Sequence, residues 1–198
     1  MSDRRSGPVR VAVLISGAGS NMAALIDAGQ QADAAFKVVL VVSNKPEAGG
    51  LAVAGAKGVA SVAVDQRPFG KDREAHERAV DAALTAHDIE VVALAGYMRL
   101  ITPWLVGRRA GRILNIHPSL LPKYPGLDTH ARALAAGDAE AGCSVHLVTE
   151  GVDEGPVLAR ATVPVLADDT PGALAQRVLA AEHNLYPRAL ADFCRALD

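Results

Sequence analysis

Apolar positions along the chain follow two alternating rhythms. Short, nearly continuous apolar runs at 9–15, interrupted by Arg10, at 36–42, apolar after Lys37, and at 61–64, 89–95 and 113–114 read as strands buried on both faces. Between them, apolar residues recur every three or four positions. Met22, Leu25 and Ile26 begin one such stretch. A second covers 47–57 and stops at Gly58. A third, over 70–87, carries Ala75, Ala79, Ala82, Ala83 and Leu84 on one side. Strand and helix in alternation predict a doubly wound α/β sheet, mostly parallel. The rhythm changes beyond residue 113. A Pro-rich loop and a brief helix over 129–136, stopped by Gly137, lead to strands over 144–148 and 157–165. Their connection is too short for a crossover helix, so they are expected as an antiparallel extension of the sheet. Asp169-Thr170-Pro171 opens a last helix, with an N-cap and then proline at the first helical position. Leu174, Val178, Ala181 and Leu185 share one stripe of it. Glu182 lies about 80° from that stripe at 3.6 residues per turn and is expected to flank the core. No repeat, linker or low-complexity tract interrupts the pattern, and residues 1–198 read as one domain.

Composition narrows the function classes. Half of the 198 residues are apolar, enough for a single core. No window approaches the ~18 apolar residues of a membrane span, so no membrane partner is expected. The polar N-terminus lacks the apolar centre of a signal peptide and points to a cytoplasmic protein. A net charge of −2 argues against nucleic acid as a partner and leaves small phosphates open. Cys143 and Cys194 are too few for a disulfide framework, and no Cys/His spacing suits a metal, so none is expected.

Candidate chemistry sits where strands end. The first strand runs into Ser16-Gly-Ala-Gly-Ser-Asn21 and at once into a helix, a layout that aims free amides and a positive helix end at an anion. Gly17 and Gly19 match the first two glycines of a dinucleotide fingerprint, but Met22 holds the third place. The second strand ends at Ser43-Asn44, without an acid for a ribose hydroxyl. The loop therefore predicts a single phosphate, although a tight turn with Ser20 as N-cap would read the same way. The fourth strand runs out into Tyr97-Met-Arg-Leu-Ile101, which could line a slot for a flat ligand or pack under the next helix. The richest stretch is Arg112-Ile-Leu-Asn-Ile-His-Pro-Ser-Leu-Leu-Pro-Lys-Tyr-Pro-Gly126. Asn115 and His117, two apart at a strand end, share one side of it. Pro118, Pro122 and Pro125 then stiffen the loop that follows. Further on, Thr149-Glu-Gly-Val-Asp-Glu-Gly155 forms an acidic loop.

Taken in order, Ile15-Ser-Gly-Ala-Gly-Ser-Asn21, Ser43-Asn-Lys45, Leu94-Ala-Gly-Tyr-Met-Arg99, Leu114 to Gly126, Ser144-Val-His146 and Glu182-His183 resemble the folate-dependent formyltransferase family. Among its branches they are most similar to the one that formylates 5'-phosphoribosylglycinamide in purine biosynthesis; the Gly-Ser-Asn loop marks that branch. The resemblance runs from about Val9 to Pro187. It implies a Rossmann-like doubly wound sheet with antiparallel C-terminal strands. It also implies transfer of a formyl group from 10-formyltetrahydrofolate to the glycinamide amine, without a metal. By position it implies Asn115, His117 and Asp153 as the catalytic trio. Gly19, Ser20, Asn21, Pro118 and Glu182 match the ribonucleotide site. Arg73, Met98, Arg99, Leu100 and Ile101, with Asn115, match the folate site. A cis peptide before Pro122 is a family feature, and a homodimer is compatible with it. Two other readings share part of the pattern: a hydrolase that releases formate, and a nucleotide-binding domain that uses the first loop alone.

Overall fold

Strand β1 (Val9–Ile15) is buried on both faces, and its alternate residues divide the core of the computed structural model, which describes residues 7–197. Residues 1–6, which carry the expectation about a leader, and residue 198 lie outside the described part. Val9, Val11, Val13 and Ile15 face one helical layer, with Met22, Leu25 and Ile26 of α1 (Ser20–Gly29) and Leu174, Val178 and Leu185 of α6 (Pro171–Arg195). Ala12 and Leu14 face the other layer, with Val80 and Leu84 of α3 (Arg73–Ala86) and Leu105 of α4 (Pro103–Arg108). A period of two on the strand thus selects which helices it meets.

The other strands are β2 (Phe36–Ser43), β3 (Ala60–Ala63), β4 (Val91–Leu94), β5 (Ile113–His117), β6 (Glu140–Leu147) and β7 (Val157–Pro164). They form one sheet in the order β3-β2-β1-β4-β5-β6-β7. The first five run parallel. Strands β6 and β7 join antiparallel, as expected for the C-terminal extension. The chain winds outward from β1 to β3 and returns to β4 on the other side of β1. Such a reversal opens a crevice at the carboxyl ends of the strands, where sheets of this kind bind ligands.

The differences from the sequence pattern are local and have local causes. Helix α1 begins at Ser20, with Gly19 at φ 76° as its cap residue and no side-chain cap, so the Ser20 hydroxyl is not spent on capping. The second helix, α2 (Gly49–Ala56), is shorter than 47–57. A Cβ on Gly50 would stand 2.4 Å from Ile15 Cδ1 and 3.0 Å from the Gly17 carbonyl oxygen, so this helix start abuts the first glycine loop. Helix α3 buries His76, Glu77, Val80, Asp81 and Leu84, and Ala82 is exposed; the alanine stripe does not define its inner face. Strand β6 begins at Glu140 and not at 144, because its whole length pairs with β7. Gly142 weakens the apolar signal there and is required by the close approach: a Cβ would meet the Ala161 carbonyl oxygen at 2.0 Å. A brief helix α5 (Thr129–Ala135) follows the Pro-rich loop. Among the described residues, no helix is long and apolar enough to cross a membrane.

Candidate active site

Asn115 and His117 stand on the same side of β5, and the antiparallel register sets His146 of β6 opposite Asn115 and Ser144 opposite His117. The acidic loop brings Asp153, at φ 55°, between them. Its Oδ2 lies 3.3 Å from His117 Nδ1, and its Oδ1 lies 3.4 Å from His146 Nε2. The Gly126 amide donates to Oδ2 at 2.9 Å, which ties the end of the Pro-rich loop to the acidic one. The other nitrogen of His117, Nε2, is 2.9 Å from the Tyr124 carbonyl oxygen. Both neighbours of His117 can only accept, so the arrangement suits a ring with a proton on each nitrogen. His146 Nδ1 faces the Leu147 carbonyl oxygen at 2.9 Å, and its Nε2 is 3.1 Å from Asn115 Nδ2. A neutral His146 accepts from that amide; a protonated one pairs with Asp153. Burial pushes the Asp153 carboxyl up, but the His146 hydrogen bond, the Gly126 amide and the charges of His117 and His146 outweigh it and hold it below the usual carboxylate range.

His146 is the member that sequence reasoning left out of the site. The signal was present: Ser144 and His146, two apart on a strand, put a hydroxyl and an imidazole on one face. Ser144 holds the other end of this region. Its hydroxyl donates to the Ser119 carbonyl oxygen at 2.7 Å and accepts from the Leu121 amide at 3.0 Å. Arg160 of β7 grips the Leu121 carbonyl oxygen with Nε and Nη2 at 3.0 and 2.8 Å. The peptide between Leu121 and Pro122 is cis. A shallow cleft behind this loop is lined by Pro118 among others but by none of the four clustered side chains.

At the end of β1, the glycine loop turns into α1 with the amides of its first turn free of intrahelical partners. A Cβ on Gly19 would lie 3.0 Å from Met22 Cε and 3.2 Å from Gly50 Cα, so the backbone there is close-packed as well as left-handed. Asn21 Nδ2 donates to Glu182 Oε2 at 2.6 Å, while Asn21 Oδ1 is buried without a partner. Glu182 is 6% exposed, more deeply set than a residue flanking the core. Burial raises its pKa, and the Asn21 hydrogen bond offsets part of the rise. Asn21, next to Gly19 and Ser20 in the glycine loop, therefore meets Glu182, although 161 positions separate the two.

After β4, Met98 and Leu100 are 64% and 55% exposed, whereas Tyr97 and Ile101 pack on the core. The loop between them is fastened at both ends. The Met98 amide donates to Ser16 Oγ at 2.8 Å, and the Thr102 amide donates to Glu77 Oε1 at 2.7 Å. Arg99 Nη1 reaches Gln66 Oε1 at 3.0 Å, and its Nε and Nη2 are buried without partners. Arg73 is exposed at the start of α3, four positions before Glu77 and so on the helix face toward this loop. Burial pushes the Cys143 thiol up to about 12, which leaves it a poor nucleophile. Among the described residues, no group of three or more His, Cys, Asp or Glu is arranged to hold a metal ion.

Comparison with known proteins gives one consistent result. The family model described as "Formyl transferase" matches residues 9–190. The phosphoribosylglycinamide formyltransferase of Escherichia coli (strain K12) is 45% identical over 185 residues, which cover 93% of this chain and 87% of that protein. The trifunctional purine biosynthetic protein adenosine-3 of Drosophila melanogaster is 47% identical over 193 residues, 96% of this chain but 14% of that protein. The chain thus spans about a seventh of the length of this larger relative. The crystal structure of phosphoribosylglycinamide formyltransferase from Brucella melitensis superposes with a TM-score of 0.91 at 54% identity, covering 95% of this chain and 96% of that one.

Proposed function

Because this chain belongs to the formyl transferase family, matched over residues 9–190, we propose that it moves the formyl group of 10-formyltetrahydrofolate to the amine of 5'-phosphoribosylglycinamide. The observation that carries the reading is the cluster of Asn115, His117, His146 and Asp153, set on the sheet edge that also bears the phosphate loop and the apolar slot. In this reading the amides of Gly19, Ser20 and Asn21 receive the phosphate. Pro118 and Glu182 border the ribose and glycinamide, and the unpartnered Asn21 Oδ1 accepts from a hydroxyl. Met98, Leu100 and Ile101 flank the folate ring, and Arg99 and Arg73 supply cations for its carboxylates.

The glycinamide nitrogen attacks the formyl carbon, forming a C–N bond as the carbonyl electrons move to oxygen. Asn115 donates to the new oxyanion through Nδ2, which without substrate lies 3.1 Å from His146 Nε2 and 3.5 Å from Asp153 Oδ1, a contribution of ~3 kcal/mol for a preorganised donor. The imidazolium of His117 stabilises the same charge. Asp153, held ionised, takes the proton from the ammonium, directly or through water, and returns it to the folate nitrogen as the C–N bond there breaks. Asp153 can act in this way because two imidazoles and an amide stabilise its anionic form. The residue roles add up to an exchange of one proton and one formyl group between two small molecules. A chain of net charge −2 needs neither nucleic acid nor membrane for that, and we assign it to the cytoplasm.

The test is a formyl-transfer assay run with and without the ribonucleotide. Formylglycinamide ribonucleotide and tetrahydrofolate should appear in equal amounts only when both substrates are present. Steady release of formate without the ribonucleotide would make the protein a hydrolase instead.

A further inference from the structure

Ser16 stands between β1 and the glycine loop and is 7% exposed. Its amide and its hydroxyl both reach the segments that follow other strands. Its amide donates to the Gly96 carbonyl oxygen at 3.2 Å, and its hydroxyl accepts from the Met98 amide at 2.8 Å. The hydroxyl proton goes to Asn44 Oδ1 at 2.6 Å. Asn44, 1% exposed at the end of β2, donates through Nδ2 to Gln66 Oε1 at 2.8 Å. The same oxygen accepts from Arg99 Nη1 at 3.0 Å. Arg99 follows Met98 in the chain, so the path closes on itself: Ser16, Asn44, Gln66, Arg99, Met98 and back to Ser16.

The ring has a fixed polarity. A hydroxyl that gives its only proton to Asn44 must accept from Met98, and an amide that accepts from Ser16 must donate to Gln66. No member can turn over alone without leaving a buried polar group unpaired. Ser16 is bonded directly to Gly17, the first residue of the phosphate loop. Met98 and Arg99 begin the apolar slot. The ring therefore joins the roots of two loops whose tips would hold different substrates.

We infer that the Ser16–Asn44–Gln66–Arg99 ring couples the two substrate sites, so that a phosphate seated on the glycine loop tightens binding in the slot, and the reverse. The inference rests on the function proposed above and adds to it a positioning role for Ser16, Asn44 and Gln66, none of which touches a reacting atom. Coupling of this kind is reciprocal, and typical values are roughly 5–150-fold.

Calorimetry with glycinamide ribonucleotide and tetrahydrofolate measures it without turnover, because that pair has no formyl group to transfer. In the wild type, tetrahydrofolate should bind at least about fivefold tighter when the ribonucleotide is saturating, and the ribonucleotide should show the same ratio. Ser16→Ala should bring the ratio near one. Gln66→Met, on the far side of the ring and outside both loops, should do the same with each separate affinity changed less than the ratio. Loss of packing alone would weaken both ligands and leave the ratio intact, and that result overturns the inference. So does a wild-type ratio near one with both ligands bound. Failure of the wild type to bind either ligand overturns the functional reading and the inference together.

Discussion

At the scale of single residues, two carboxylates are shifted in opposite directions, and each shift makes a test. Asp153 is depressed: its stabilising contribution is present above the unfolded carboxyl value of about 3.9 and is lost only as pH falls through its lower folded value. It therefore stays ionised throughout the range in which the glycinamide amine, near 8 for an α-amino group, takes up a proton. Asp153→Asn should lower kcat at least about a hundredfold, within the ~10²–10⁴-fold typical of proton transfer, and leave tetrahydrofolate binding nearly unchanged. The acid limb of the pH profile is therefore expected to belong to the amine and to persist in this variant; a limb that disappears would belong to Asp153 instead. Glu182 is raised by burial from its ordinary 4.5, so the folded state loses stability as pH climbs through the raised value. Glu182→Gln removes the buried charge and offers an N–H to the unpaired Asn21 Oδ1. It should melt at the same temperature as the wild type near pH 4 and at a higher one at pH 7, with weaker ribonucleotide binding. A melting difference that does not depend on pH would sink this account of Glu182.

Between elements, the contact that holds α3 to the slot is Glu77, 1% exposed, whose two oxygens receive the Thr102 amide and hydroxyl. Loss of hydrogen bonds to a buried charged group costs roughly 2–3 kcal/mol, so Glu77→Ala should lower Tm by roughly 5–10 °C. KM for the folate should rise with it, and KM for the ribonucleotide should hold. A rise in both would make Glu77 a general support and not part of the slot. This pairing also shows what a sequence conceals. The bounds of β1 were readable because an apolar run between polar residues and a glycine turn can end in few ways. Asn115 and His117 were readable because they lie two apart. From their neighbours in sequence Glu77 looks like a solvated helix position and Glu182 like one at the edge of the core, since the partners that make burial tolerable are Thr102 and Asn21, far along the chain. Helix α4, six residues between two loops, is too short to show a period. Family resemblance gave a role to Glu182 but none to Ser16 or Glu77.

Over the whole molecule, α6 lies in one helical layer and ties two central strands of the sheet together. Tyr186, 0% exposed, sends its hydroxyl to the carbonyl oxygens of Leu94, the last residue of β4, and Leu114, the second of β5, at 3.1 and 3.2 Å. Tyr186→Phe keeps the packing and strips a donor from two neighbouring strands, at a cost of about 1–2 kcal/mol. Thermal unfolding should shift down by roughly 2–8 °C in a chain of this size, with kcat reduced more than either KM. An unchanged kcat would mean that the spacing of β4 and β5 does not depend on this hydroxyl. One turn earlier on the same helix, Glu182 closes the site against Asn21 across 161 positions. In a chain still emerging from the ribosome, the glycine loop is thus made long before the carboxylate that completes it. At ~5–20 residues per second the interval is on the order of 10–30 s. For that period the nascent protein carries the glycine-loop residues but no finished nucleotide pocket, and its substrate cannot serve as a template for folding.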